Sequence, residues 1–252
     1  MSGLILRLAG PLQSWGEHSA FGDRDTVRFP TRSGLIGLLA SAEGRSRDEP
    51  LDRYAPLRFT IRIDRPGTLC RDFHTIGGGY PRHRTVITAE GKRRTVETAT
   101  IVTTRHYLAD AVFCVAVDGP DELTDTLAAA MRAPRWQPYL GRRSCPPSEP
   151  LLVRAGVADA AAELHDRVPL ARFPQWESAE PVSVDFVTEG SRSDAGTVTE
   201  LADVPASFHR LTRRYRTRAI TITARPMPAH LCAGRGQTYL DALHSYATKE
   251  NP

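Results

Sequence analysis

Three observations on this sequence predict an α+β fold. Short apolar or alternating runs of strand length recur at 3–10, 57–64, 106–118 and 150–157. Two segments with helix start and stop signals, 33–43 and 120–134, separate the first run from the second and the third from the fourth. Residues 65–105 interrupt the pattern with Pro66-Gly67, Gly77-Gly78-Gly79 and Glu90-Gly91, with Thr- and Val-rich runs between them. With that interruption set aside the order is β-α-β-β-α-β, a ferredoxin-like (RRM-like) palm, and the interruption reads as an inserted β-hairpin thumb. The domain reading is a palm over 1–157, with the thumb at 65–105, and a small, mainly β C-terminal extension over 158–252 packed on the palm. That topology alone says little about function.

Each element follows from its own residues. "GLILRLAG" (3–10) is apolar and bounded by Gly10-Pro11, a buried first strand. "PLQSWGEHSAFGDRDTVRF" (11–29) has no helical period and reads as a long loop. Leu35, Ile36, Leu38, Leu39 and Ala42 then set a helical pattern that ends near Gly44, with Thr31 or Ser33 as an N-cap. "LRFTIRID" (57–64) alternates apolar and polar residues, as a half-buried strand does. Within the thumb, "HRTVITAEGKRRTVETATIV" reads as two strands around a turn at Glu90-Gly91-Lys92. "HYLADAVFCVAVD" (106–118) reads as one central strand, and "PDELTDTLAAAMRAP" as a helix with Leu123, Leu127 and Met131 on one face. "PLLVRAGV" (150–157) is a further strand. The last third predicts a short helix at 159–167, a strand at 181–190, a loop continuing over 192–201, a strand at 213–225 and a helix at 239–250.

Composition describes a soluble globular protein: 252 residues, 40% hydrophobic and 25% charged, enough chain for a sizeable core. The net charge is +4, and Lys92 and Lys249 are the only lysines. Arginine offers a planar fork that matches phosphate and stacks on bases, although a GC-rich genome would bring the same swap. Cys70, Cys114, Cys145 and Cys232 are far apart in sequence, without metal-ligand spacing. No metal or other cofactor is expected. Arg7 and Gly10 break the first apolar run and no stretch reaches membrane-spanning length, so the expectation is a cytoplasmic protein without a membrane partner.

The position of the charge is more telling. Residues 65–106 hold eight cations and three acids, so all the net positive charge lies in the thumb. Arg82, Arg84, Arg93, Arg94 and Arg105 are interleaved there with His74, Tyr80, His83 and His106. This suits a single-stranded nucleic acid, phosphates to cations and bases to rings; a solvated charged hairpin is the plain alternative. Residues 204–225 hold Arg210, Arg213, Arg214, Arg216, Arg218 and Arg225 with no acid, and Arg214, Arg216 and Arg218 share a strand face. Either RNA or an acidic partner would cover them. Gly141-Arg142-Arg143-Ser144 joins a tight turn to two guanidiniums, an anion cradle. The helix opening Pro30-Thr31-Arg32-Ser33, flanked by Arg24 and Arg28, sets cations where the helix dipole favours anions, which a phosphate would reconcile. Gln13 precedes Trp15, and Trp15 is either a stacking ring or a buried anchor.

Metal-free RNA cleavage needs an acid, a base and a cation. His74, His83, His106 and Tyr107, with Arg105, are the candidates, without a diagnostic motif among them. The chain also has no HExxH, no Gly-x-Ser-x-Gly and no paired acidic motif.

"LILRLAGPLQSWG", "RFPTRSGLIGLLA", "RHYLADAVFCVAV" and "PYLGRRSCPP" occur in order over residues 4 to about 155 and resemble the CasD family of type I-E CRISPR Cascade subunits, in the repeat-associated mysterious protein superfamily. The resemblance implies a ferredoxin-like palm with a hairpin thumb. It implies binding of the 5′ handle of CRISPR RNA, capping of a backbone of CasC subunits and contact with the large subunit CasA, with target DNA met only indirectly. The thumb arginines would press between nucleotides. It implies a non-catalytic chain, since a separate subunit, CasE, cuts the repeat in type I-E systems. In type I-C systems the equivalent subunit cuts it, with Tyr, Lys and His residues. Here the corresponding stretch is Arg105-His106-Tyr107 without the Lys, and a metal-independent endoribonuclease using His106 and Tyr107 is the alternative.

Overall fold

The computed structural model describes residues 2–17, 22–88, 90–173, 180–190, 196–209 and 212–249. The first half runs β1 (Ser2–Ala9), two short strands β2 (Leu12–Gln13) and β3 (Asp23–Arg24), α1 (Arg32–Glu43), β4 (Arg58–Arg65), β5 (Thr68–Ile76), β6 (Ile101–Ala109) and β7 (Val112–Gly119). The second half runs α2 (Asp121–Arg132), β8 (Leu152–Val157), α3 (Ala160–Asp166), β9 (Val182–Glu189), β10 (Thr197–Ser207), β11 (Arg214–Met227) and α4 (Gln237–Thr248). Seven strands form one sheet in the order β10-β11-β9-β4-β7-β1-β8, every pairing antiparallel. None of the described helices is long and apolar enough to cross a membrane.

Both faces of the sheet are covered. On one, Leu4, Leu6 and Leu8 of β1 pack with Phe59 and Ile61 of β4, Val115 of β7, Leu35 and Leu39 of α1 and Leu127 of α2. On the other, Ile5 of β1 and Ala116 of β7 pack with Leu164 of α3 and Tyr239, Leu243 and Tyr246 of α4. Two covered faces explain why the first strand carries apolar residues on both sides, with Arg7 its one charged residue.

The second face changes the meaning of "LRFTIRID". The predicted half-buried strand is wet only at its start, where Arg58 is exposed and Thr60 half-buried; Arg62 and Asp64 are both 0% exposed. The Arg62 guanidinium meets Asp64 at 2.6 and 3.0 Å and the carbonyls of Leu164, Val168 and Pro169 at 2.6, 2.8 and 2.7 Å. Its five donors are all used, which is what makes a charge tolerable at that depth. The alternation of polar and apolar residues is real; the second half of the polar face, at Arg62 and Asp64, is roofed by later chain.

Three other expectations are corrected. The run 106–118 is two strands, because the chain turns at Asp110 with φ 56°, so His106 and Tyr107 belong to the thumb strand β6. Residues 196–201 of the expected loop lie mostly in β10, paired to β11 from Thr197↔Ile222; 191–195 lie outside the described residues. Their Thr/Val alternation was the missed signal. The 11–29 loop contributes β2 and β3, both paired to β6, and a Trp15–Val27 bridge; residues 18–21 lie outside the described residues. The thumb ladder is β5 on β6, from Thr68↔Ala109 to Ile76↔Ile101. The two strands expected around Glu90-Gly91-Lys92 reduce to a turn with one Ile87–Arg93 bridge, Ala89 lying outside the described residues.

Candidate nucleic-acid interface

The N-terminus of α1 is closed by the protein itself. Thr31 caps it, accepting from the Gly34 amide at 3.2 Å. Arg32 turns inward: Nη1 donates to Leu57 O at 2.9 Å and Glu189 Oε1 at 2.5 Å, Nη2 to Tyr54 O and Ala55 O at 3.2 Å each. The Arg32 amide donates to Asp203 Oδ2 at 2.6 Å, and Arg218 grips that carboxylate at 2.6 and 2.8 Å. The anion that this helix end attracts is therefore Asp203, not a phosphate, and Arg32 is withdrawn from the surface. Arg218 also leaves the predicted exposed Arg face, since Glu189 lies 3.1 Å from its Nη1.

Gln13 and Trp15 are buried as well, each 0% exposed. The Gln13 amide donates to Leu8 O and Ala111 O at 3.0 and 2.9 Å, and Trp15 Nε1 donates back to Gln13 Oε1 at 3.2 Å. A Cβ on Gly34 would lie 2.7 Å from the Trp15 ring, and one on Gly141, at φ +82°, only 1.7 Å from Ser14 O. Trp15 is the buried anchor, and it seats α1 and the 139–146 turn side by side.

Between these segments lies an open groove of about 840 Å³. Its wall carries Arg24, Arg45, Arg47, Arg142, Arg143 and Arg213 with Trp136, Tyr139 and Tyr215; Glu17 is the one carboxylate among its described lining residues. Glu17 accepts from the Ala202 amide at 2.8 Å. Trp136 is 48% and Tyr215 40% exposed, unusual for large rings. The Trp136 loop is held to the end of α1 through Arg135 N→Ala42 O at 2.8 Å and Trp136 N→Ser41 O at 3.3 Å. Exposed Arg47, Arg143 and Arg213 beside fixed rings can neutralise phosphates and stack bases.

The other predicted residues scatter. Ser33 is half-buried and lines the groove; Arg24 is exposed on its rim, Arg28 is exposed outside it, and Ser144 is exposed. The 139–146 turn spends its Gly141 and Cys145 amides on its own carbonyls, so it is less of a cradle than its sequence suggested. On the thumb, Arg82, Arg84 and Arg93 are exposed, Arg84 lying 5.1 Å over Tyr80 and Arg93 donating to Thr85 O at 2.8 Å. Arg94 donates to Thr98 O at 3.4 Å, and Arg105 Nε lies 3.5 Å from Thr103 Oγ1. His106 Nε2 meets Asp23 Oδ1 at 3.1 Å, whereas Tyr107 is buried with Arg142 over its ring. As neighbours on a strand, His106 and Tyr107 point to opposite faces and do not converge on one reacting atom. Of the second basic patch, Arg213 lines the groove, Arg214 and Arg216 are exposed, Arg225 covers Phe186, and Arg210 lies outside the described residues. No cluster of metal-ligating side chains occurs among the described residues.

Sequence reasoning missed Arg45, Arg47, Trp136, Tyr139 and Tyr215. Arg45 and Arg47 follow the αL cap at Gly44, where cations are ordinary helix-end residues. Trp136 had a readable signal, an aromatic just ahead of the "YLGRRS" turn.

An antiparallel sheet roofed by helices, bearing an arginine-rich open groove with exposed rings, has the make-up of a nucleic-acid-binding α+β protein. The chain belongs to the family described as CRISPR-associated protein (Cas_Cas5), whose model matches residues 3–221. It is 41% identical over 164 residues, 60% of this chain and 69% of the relative, to the CRISPR system Cascade subunit CasD of Escherichia coli (strain K12). It resembles a chain of a solved CRISPR RNA-guided surveillance complex at TM-score 0.89 and 54% identity, covering 98% of this chain and 100% of that one. A crystal structure of a Cas protein matches at TM-score 0.56 and 30% identity, over 93% of this chain and 98% of that one.

Proposed function

We propose that this chain is a structural RNA-binding subunit of a CRISPR RNA-guided antiviral complex. It holds the 5′ handle of CRISPR RNA in the groove beside α1 and caps one end of a backbone of CasC subunits, next to the large subunit CasA. The observation that carries this reading is the groove itself: exposed Arg47, Arg143 and Arg213 with half-exposed Trp136 and Tyr215. A ferredoxin-like palm over 1–157 is supported by the central strand order β4-β7-β1-β8 with α1 and α2 on one face. In this reading 158–252 extends the sheet beyond β4 and roofs its second face. The thumb arginines engage the same strand of RNA.

The subunit is non-catalytic in this reading, supported by the divergence of His106 and Tyr107. The test is one incubation of the full chain with end-labelled repeat RNA in EDTA, run on native and denaturing gels. A salt-sensitive shift with intact RNA is expected. Discrete cleavage within the repeat, lost on His106→Ala, would overturn it in favour of the endoribonuclease.

A further inference from the structure

The two arginines of "GRRS" have opposite surroundings. Arg143 is exposed on the groove, while Arg142 is half-buried. Arg142 Nη2 donates to Arg24 O at 2.8 Å and Asp25 O at 3.3 Å. Its guanidinium carbon lies 4.8 Å from the centre of the Tyr107 ring. Its Nη1 is buried without a hydrogen-bond partner among the described residues. One side chain thus ties three separate segments: the 139–146 turn that carries Arg143, the β3 segment that carries Arg24, and β6, the thumb strand. The turn's backbone is fixed on the far side by the close approach of Gly141 to Ser14 O.

We infer that Arg142 is a positioning residue for RNA binding: with its guanidinium committed to the Arg24 and Asp25 carbonyls and the Tyr107 ring, it locks β6 to the groove wall and so sets Arg24 and Arg143 at a fixed separation. The inference rests on the reading of the groove as an RNA site. It requires the planar fork, not the charge. Lysine keeps the charge but cannot lie flat on Tyr107 while donating to two carbonyls from one terminal nitrogen.

The test uses the full chain and end-labelled single-stranded repeat RNA, with affinity measured by filter binding across a salt series. Thermal melting is followed for each variant. The slope of log K against log salt falls by about 0.7 for every single-strand phosphate that the protein no longer neutralises. Arg143→Ala is expected to lower the slope by about that much. Arg142→Lys is expected to bind about tenfold more weakly than the wild-type chain, the scale of a coupling carried through packed side chains, with the slope unchanged. Tyr107→Leu, a buried change that cannot touch RNA, is expected to give a similar loss, and the Arg142→Lys, Tyr107→Leu pair no more than either alone. Wild-type affinity for Arg142→Lys, or additive losses in the pair, overturns the inference. Absence of salt-dependent binding by the wild-type chain overturns the RNA reading itself, and is told apart because Arg143→Ala then changes nothing either.

Discussion

Two sets of arginines in this chain are alike in sequence and opposite in structure. Arg32, Arg62 and Arg218 point inward, each against a carboxylate, and Arg32 and Arg62 also against backbone carbonyls. Arg47, Arg143 and Arg213 point outward along an open groove. The difference lies in their partners rather than in their neighbours along the chain. The Arg32 guanidinium finds Glu189, 157 positions away, and that of Arg62 finds the Leu164 carbonyl, 102 positions away. An arginine whose hydrogen-bond acceptors are brought together by the fold becomes part of it; one with no such acceptor among the described residues faces solvent and is open to a polyanion. Arginine enrichment is therefore two populations, and they separate only when the C-terminal third folds onto the palm.

The sharpest way to break this division is to exchange the effects. Arg62→Met leaves Asp64 buried and uncompensated, which costs about 3–5 kcal/mol in a urea melt, with RNA affinity of the folded fraction unchanged. Asp203→Ala leaves the α1 amide without its acceptor and Arg218 with Glu189 alone, and falls at the lower end of the same range. A loss below about 1 kcal/mol for either would move these residues out of the structural set. Trp136→Ala works the other way: RNA affinity drops by about 1–3 kcal/mol, the usual worth of one stacked base, while stability stays within about 0.5 kcal/mol. An abasic substitution in the RNA should reproduce that drop at one nucleotide only.

The smallest expected effects test the roofed face. Burial, reinforced by Asp64, pushes the Cys114 thiol up to about 12, and burial drives the Tyr239 hydroxyl well above its usual value. Both values are raised on folding. Their stability is thus complete below the unfolded thiol value of about 8.5 and is lost as pH rises toward about 12, so the melting temperature declines through that window. Cys114→Val should flatten part of the decline. Thiol titration at neutral pH should label exposed Cys70 alone, with Cys114, Cys145 and Cys232 reacting only in denaturant.

Much of the palm was legible because local pattern and final environment agree. The strand 3–10 and the helices ending at Gly44 and before Pro134 were marked by periodicity and by Gly or Pro, and the start of β5 by Pro66-Gly67; the end of β6 at Ala109 was not. Where local pattern and environment disagreed, distant chain was the reason. The strand 57–64 carried the right alternation, but the cover over Arg62 and Asp64 comes from α3 and its following turn. The site followed the same rule. "GRRS" and Arg24 were found by residue type, whereas Arg32, Gln13 and Trp15, in equally suggestive company, are held inside by contacts no local pattern announces. Trp136 was passed over because a lone aromatic after a helix is usually packed away, and here it is not.

If the outward arginines, and not arginine content in general, bind the nucleic acid, removing them together must show it. The measurement is the salt slope of repeat-RNA binding for Arg47→Ala, Arg143→Ala and Arg213→Ala combined, beside the thermal melt of the same variant. The expected slope is smaller in magnitude by about 2, three single-strand phosphate contacts, with an unchanged melting temperature. An unchanged slope with wild-type affinity would place the RNA elsewhere on the chain and contradict the assignment of the groove.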